Sequence, residues 1–141
     1  MLIQNIKVAA DAVVFSTSGE HLQVVLVKRK YDPFKGMWAI PGGFVEDDEE
    51  LEDAAIRELH EETGMKLTSM KQLQTFGKVG RDPRGRTVSV TYGAIVDAKD
   101  HPVTGGDDAA EAHWVNVKDI TEMAFDHMDE LRSALQAFSL I

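Results

Sequence analysis

A chain of 141 residues, 43% hydrophobic and 28% charged, has the length and composition of one domain with a sizeable core. Its net charge of −9 argues against attraction to a nucleic-acid backbone, and no apolar run approaches the roughly 20 residues of a membrane span. The absence of cysteine excludes disulfides and thiolate chemistry and fits a reducing compartment. With no signal-peptide pattern in MLIQNIKVAAD and no internal repeat, the expectation is a single cytoplasmic domain over residues 1–141.

In chain order, Val8 to Phe15 is β-compatible and largely apolar, and Thr17-Ser18-Gly19-Glu20 supplies turn chemistry. Leu22 to Val27 is a short apolar run suited to a buried strand, so a hairpin is the natural connection. It ends in Lys28-Arg29-Lys30, which is either an exposed strand end or a cationic feature with a use. Residues 31–36 are rich in breakers and read as loop. Trp38 reads as core, Pro41 keeps Ile40 extended, and Gly42-Gly43 permits a sharp turn with close backbone approach.

From Gly43 to Met65 runs a glycine turn and then an acidic helix with carboxylates at Glu49, Glu58, Glu61 and Glu62. Taking Glu58 as 0° on a helix, Glu61 lies at roughly −60° and Glu62 at roughly +40°. Leu51, Ala54 and Ala55 share that arc, at roughly +20°, −40° and +60°, while Asp53 and His60 point away. A solvated acidic face should not carry leucine and alanines. Carboxylates converging beside protein repel one another unless a cation neutralises them, and clustered oxygens suit Mg²⁺ or Mn²⁺. Arg57, four residues before Glu61, can orient a carboxylate. The residues read as a metal site.

Gly64 reads as the helix C-cap. A basic loop, Gly77 to Arg86, leads into a strand over Thr87 to Val96. Val103 to Ala110 reads as a flexible acidic loop in which Asp107 and Asp108 are merely solvated. Glu111 reads as a loop acid entering a strand at Trp114. Met128, Leu131, Leu135 and Phe138 recur at helical spacing as core, with Asp126 as a helix cap.

The helical stretch resembles the Nudix box, G-x5-E-x7-R-E-U-x-E-E-x-G-U with U aliphatic, at Gly43, Glu49, Arg57, Glu58, Leu59, Glu61, Glu62, Gly64 and Met65. The resemblance implies a Nudix hydrolase, with an α/β/α sandwich around a mixed β-sheet; the β–β–α–β–α order of predicted elements supports that fold. It implies metal-dependent cleavage of a nucleoside diphosphate linked to another group. Mg²⁺, or Mn²⁺, would be held by Glu58, Glu62 and either Glu61 or Glu111, because relatives similarly place a glutamate shortly before a Trp-Val strand. Glu61 or Glu111 would be the general base, with Glu49 orienting Arg57 or a water.

The segment Arg81-Asp82-Pro83-Arg84-Gly85-Arg86 with Val88-Ser89-Val90 looks like that of Nudix ADP-ribose pyrophosphatases. The Phe125-Asp126-His127 stretch is similar in the same group. On that resemblance Arg29, Arg81, Arg84 and Arg86 are candidates for phosphate or ribose contacts, and Gly43 for a close backbone contact. Hydrolysis of ADP-ribose to AMP and ribose 5-phosphate is the leading expectation. A MutT-type triphosphate pyrophosphatase and a noncatalytic ADP-ribose sensor are the alternatives. Some relatives carry a DNA-binding domain, for which 141 residues leave no room. The expected partner is a small nucleotide, not nucleic acid or membrane; homodimers are common in the group, and the residues do not decide that point.

Overall fold

Strand β1, Lys7–Ser16, is the axis of the sheet, because its apolar run can be buried on both faces. The computed structural model describes residues 3–105 and 109–141. On one side β1 pairs in parallel with β6 (Thr87–Ile95), from Lys7 opposite Thr87 to Phe15 opposite Ile95. On its other side it is shared. Its C-terminal end pairs antiparallel with β2 (Gln23–Arg29) through Phe15–Val24 and Ser16–Gln23. Its N-terminal half pairs with β4 (Gly42–Phe44) through Ala9–Phe44, Ala10–Gly43 and Asp11–Gly42.

The expected β1–β2 hairpin is therefore short. Strand β2 diverges to pair with β3 (Trp38–Ala39) and β7 (Ala109–Asn116), and the gap admits β4. Strand β5 (Lys71–Phe76) closes the far side of β6.

Alternation along the strands separates two cores. Ala10, Ala12 and Val14 pack with Ala54, Ala55 and Leu59 of helix α1 (Leu51–Thr63). Val13 and Phe15 pack with Leu131, Ala134 and Leu135 of helix α2 (His127–Ala137). The expected α/β/α sandwich around a mixed sheet is the observed fold. Gly64 ends α1 at φ +77°, its N–H donating to the carbonyl of His60 at 2.9 Å, as a left-handed glycine cap should.

Three readings change. Glu49 precedes α1 instead of lying on it. Asp126 sits at the N-cap of α2 but makes no side-chain capping bond. Glu111 lies inside β7, opposite Lys28, and not in a loop. Asp107 and Asp108 fall outside the described residues. No described helix is long and apolar enough to cross a membrane.

Gly93 on β6 sits where the Phe138 ring and Leu73 fill the position of a missing side chain; a Cβ would meet them at 2.6 and 2.7 Å. Gly93→Ala should destabilise the protein by about 1–3 kcal/mol through overpacking, read as a lower urea midpoint. An unchanged midpoint would mean that Phe138 yields freely and does not anchor the end of α2.

Candidate active site

Two consecutive glycines let side chains from opposite layers meet at one cavity. A Cβ on Gly43 would stand 2.6–2.7 Å from the carboxylate of Glu58, and a Cβ on Gly42 would collide with Asp11 Oδ1. Glu58 reaches from α1 on one face of the sheet, whereas Asp11 belongs to the face that α2 covers further along. The Gly42 N–H donates to Glu62 Oε2 at 2.9 Å, which fixes the second helix acid beside the turn. Both Glu58 and Glu62 line the resulting cavity of about 310 Å³.

Arg57 holds the acids in place. Its Nε and Nη2 donate to the two oxygens of Glu49 at 2.8 and 2.7 Å, and its Nη1 donates to Glu58 Oε1 at 2.7 Å and Glu61 Oε2 at 3.3 Å. Nη2 also reaches the Phe44 carbonyl at 3.2 Å, tying the helix to β4. The guanidinium fork is thus committed in every direction. Arg57's bond raises the affinity of Glu49 for its charge and holds its carboxyl below the ordinary range, despite a small opposing effect of burial. The hydrogen bond to Glu49 first, then those to Glu58, outweigh burial and push Arg57 upward.

Cations line the same cavity. Arg29 and Arg84 both stack on the Phe125 ring, at 4.9 and 5.0 Å from its centroid, and Arg84 also lies 5.5 Å from the Phe44 ring. Burial lowers Arg29, and the neighbouring charge of Arg84 lowers it further. Asp82 fixes Arg84 with Nε and Nη2 bonds at 3.1 and 2.8 Å. Burial pushes Asp82 upward, but its bonds to Arg84 outweigh this and leave it below its ordinary value.

Of the anticipated site residues, Arg29, Gly43, Glu58, Glu62, Arg81 and Arg84 line the cavity. Arg81 is not a solvating loop arginine: its side chain is 4% exposed and makes a bidentate pair with Asp126 at 2.9 and 2.7 Å. That ion pair is the role of Asp126 that the capping assignment missed. Glu61 stays half-exposed on Arg57, outside the cavity lining. Arg86 is exposed and also outside it.

Glu111 accepts from Lys28 at 3.2 Å and meets His113 Nε2 at 2.8 Å on the surface of β7; Lys28 lines the cavity and Glu111 does not. Its partner His113 first, then Lys28, lowers its pKa. Two contributors escaped the sequence reading, Asp11 and Glu130, which are buried together with His127 of the anticipated Phe125-Asp126-His127 stretch; Asp11 and His127 line the cavity. The usable signal for Asp11 was a lone acid inside the apolar run VAADAVVF.

Comparison with known proteins assigns the family. Residues 5–138 match the NUDIX domain, and the chain belongs to that family. It is 38% identical over 120 residues to an ADP-ribose pyrophosphatase of Methanocaldococcus jannaschii, covering 85% of this chain and 68% of that protein. It is 36% identical over 128 residues to the ADPR responsive transcriptional repressor NtrR of Acinetobacter baylyi, covering 88% of this chain and 51% of that one. The chain therefore spans about two thirds of one relative and half of the other. The NUDIX domain of Shewanella oneidensis NrtR complexed with ADP ribose superimposes with a TM-score of 0.89 at 31% identity, over 96% of this chain and 90% of that one.

The Glu49–Arg57 pair has a pH signature. Because Glu49 is lowered in the folded state, its stabilisation is present above the ordinary glutamate pKa and is lost as pH falls through the lowered one. Thermal midpoints of wild type should drop more steeply than those of Glu49→Gln across that acid window. Parallel curves would show that the pair does not hold the helix to the turn.

Proposed function

We propose that the protein hydrolyses the diphosphate of ADP-ribose to AMP and ribose 5-phosphate, with Mg²⁺ or Mn²⁺ held by Glu58 and Glu62. The observation that carries this reading is the charge content of one cavity, lined by Glu58 and Glu62 from α1 and by Arg29 and Arg84 from β2 and the loop before β6. A diphosphate flanked by two sugars needs cations along its length and polar or aromatic contacts at its ends.

The donor set fits a hard divalent ion. It consists of carboxylate oxygens, one seated against Gly43 and one fixed by the Gly42 N–H. When bound, such an ion supplies charge stabilisation to the diphosphate oxygens. The chain's own residues do the rest. Arg57, locked by Glu49, keeps Glu58 from swinging away. Arg29 and Arg84, forced together on Phe125, gain from an anion that relieves their mutual repulsion.

A water attacks one phosphorus in line with the departing phosphate, and a carboxylate takes its proton. Glu61 is the proposed base: it lies outside the cavity lining on a single 3.3 Å contact from Arg57, and it would release that contact and turn inward to reach the water. Glu111, tied to Lys28 and His113, is left out of the proposal. A net charge of −9 supports a small ligand over a nucleic-acid backbone.

The similarity to an ADPR responsive repressor favours a second reading, a sensor that binds ADP-ribose without turning it over. The complete set of box glutamates speaks for turnover, because sensing alone does not require them.

The test is hydrolysis with Mg²⁺ across ADP-ribose, diadenosine polyphosphates, NADH and nucleoside triphosphates, with products separated by chromatography. AMP and ribose 5-phosphate from ADP-ribose, well above the other substrates, are expected. Pyrophosphate released from a triphosphate would replace this reading with the MutT type, and binding without turnover would replace it with the sensor.

Gly43→Ala separates the site from the fold. The three atoms nearest the added Cβ are all in the Glu58 carboxylate and none is backbone, so the effect on thermal stability should be small beside the effect on the site. Displacing that carboxylate by about 1 Å should nonetheless lower kcat about 100-fold. Unaltered kcat would remove Glu58 from the proposed machinery.

A further inference from the structure

On the α2 side of β1, Asp11 and His127 of the cavity lining are buried together with Glu130, which is not part of it, and the proposed hydrolysis uses none of the three. Asp11 is 4% exposed and Glu130 0% exposed. Asp11 Oδ2 and Glu130 Oε1 are both buried without a hydrogen-bond partner among the described residues. One oxygen of each lies with a ring nitrogen of His127 inside a cluster whose atoms are all within 4.8 Å of one another.

Such a trio invites a metal, but the imidazole excludes it. His127 Nδ1 accepts the Ile40 N–H at 2.9 Å, so in the neutral ring the proton is on Nε2. Nε2 is the atom that faces Glu130 at 3.5 Å and Asp11 at 4.0 Å, and an N–H has no lone pair for a metal. Burial keeps this histidine neutral by lowering its pKa.

We propose that Asp11 and Glu130 share one proton, and that the resulting acid pair positions Arg81 and the Gly42–Gly43 turn for the active site. Two touching carboxylates in a dry interior do not both ionise. A single proton on Glu130, donated to Asp11, gives both orphaned oxygens a partner at once.

The groups facing the pair fit this count. Arg81, from the loop before β6, donates to Glu130 Oε2 at 3.2 Å but makes its two-point pair with Asp126. Asp126 and His127 face it from the start of α2, and the Arg29 charge on β2 acts from further away. One guanidinium committed mainly to Asp126 leaves no cation to neutralise a second acid. Burial, and then contact with Asp11, hold the Glu130 carboxyl well above the ordinary glutamate range.

The connection to the site is direct. Asp11 pairs with Gly42 across the sheet and packs its Oδ1 where a side chain on Gly42 would go, and the Gly42 N–H holds Glu62. The line from Glu130 through Asp11 and Gly42 to Glu62 joins α2 to the proposed metal ligands on α1. Glu130 is therefore a positioning residue, since it touches neither the cavity nor a reacting atom.

Infrared spectroscopy of the wild-type protein in D₂O at neutral pH, with Glu130→Gln as reference, tests the proton directly. The expected result is a protonated-carboxylic-acid carbonyl band that the variant lacks. The folded state binds one more proton than the unfolded chain above the ordinary glutamate pKa. Wild-type thermal midpoints should then decline as pH rises towards the raised value, and those of Glu130→Gln should not.

Glutamine keeps a donor for Asp11 and an acceptor for Arg81, so its kcat and KM should stay near wild type. Glu130→Ala orphans both partners and should lower kcat/KM about tenfold or more. Absence of the band in wild type, or midpoints that run parallel to those of Glu130→Gln, would overturn the shared proton. A Glu130→Gln variant as impaired as Glu130→Ala would overturn the positioning role. The band and the midpoints read the acid pair whether or not ADP-ribose proves to be the substrate.

Discussion

Two missing side chains, at Gly42 and Gly43, are the constraint on which the site depends. Strand β4 runs against β1 there, and a Cβ at either position would displace a carboxylate. Through the Gly43 gap α1 presents Glu58, and through the Gly42 gap β1 presents Asp11. The gaps exist only because β2 leaves β1 after two residue pairs and lets β4 take its place. Sheet topology, rather than any property of the helix alone, thus brings acids from two layers to one cavity.

Those acids are tolerable because each guanidinium nearby has a fixed set of partners. Arg57 spans Glu49, Glu58 and Glu61, and Arg81 spans Asp126, Glu130 and Ser89. A buried pair of this kind is weak evidence for net stability, since desolvation offsets the attraction. Its effect is geometric. Each arginine holds a carboxylate that would otherwise swing away: Arg57 ties α1 to the preceding turn and β4, and Arg81 ties the loop before β6 to Asp126, 45 residues on. The two arginines serve opposite helices, α1 and α2, across the same strand.

The strands and the acidic helix were legible because local signals suffice for them: apolar runs, helical periodicity, a glycine cap and a fixed spacing of acids. The sandwich was implied by the resemblance to the Nudix box, with the order of elements in support. Glu61 shows the limit of periodicity. It shares the angular range of Glu58 and Glu62, yet it lies half-exposed and off the cavity lining, with a 3.3 Å contact to Arg57. Glu111 was misplaced because β7 begins before it, and its register against Lys28 follows from a pairing between distant segments. Arg81 and Asp126 were read separately, one as a substrate contact and one as a cap. Their ion pair spans 45 residues and requires α2 to dock first. Asp11 and Glu130 are harder still, since nothing local to either shows that they touch.

Under the proposed function, the placement of cations accounts for a preference for a diphosphate over a single phosphate. Arg29 and Arg84 stack on Phe125 and repel each other, and aromatic and hydrogen-bonded contacts hold them in place. Their shared ring keeps the two charges side by side, in the cavity that Glu58 and Glu62 also line. An anion with charge at two adjacent centres would meet the guanidiniums through one set of oxygens and leave another set for the glutamate side. A lone phosphate would crowd both interactions onto one phosphorus. A cavity that gathers acids from α1 and arginines from β2 and the Arg81–Arg84 loop therefore suits the linkage that the proposal assigns to it.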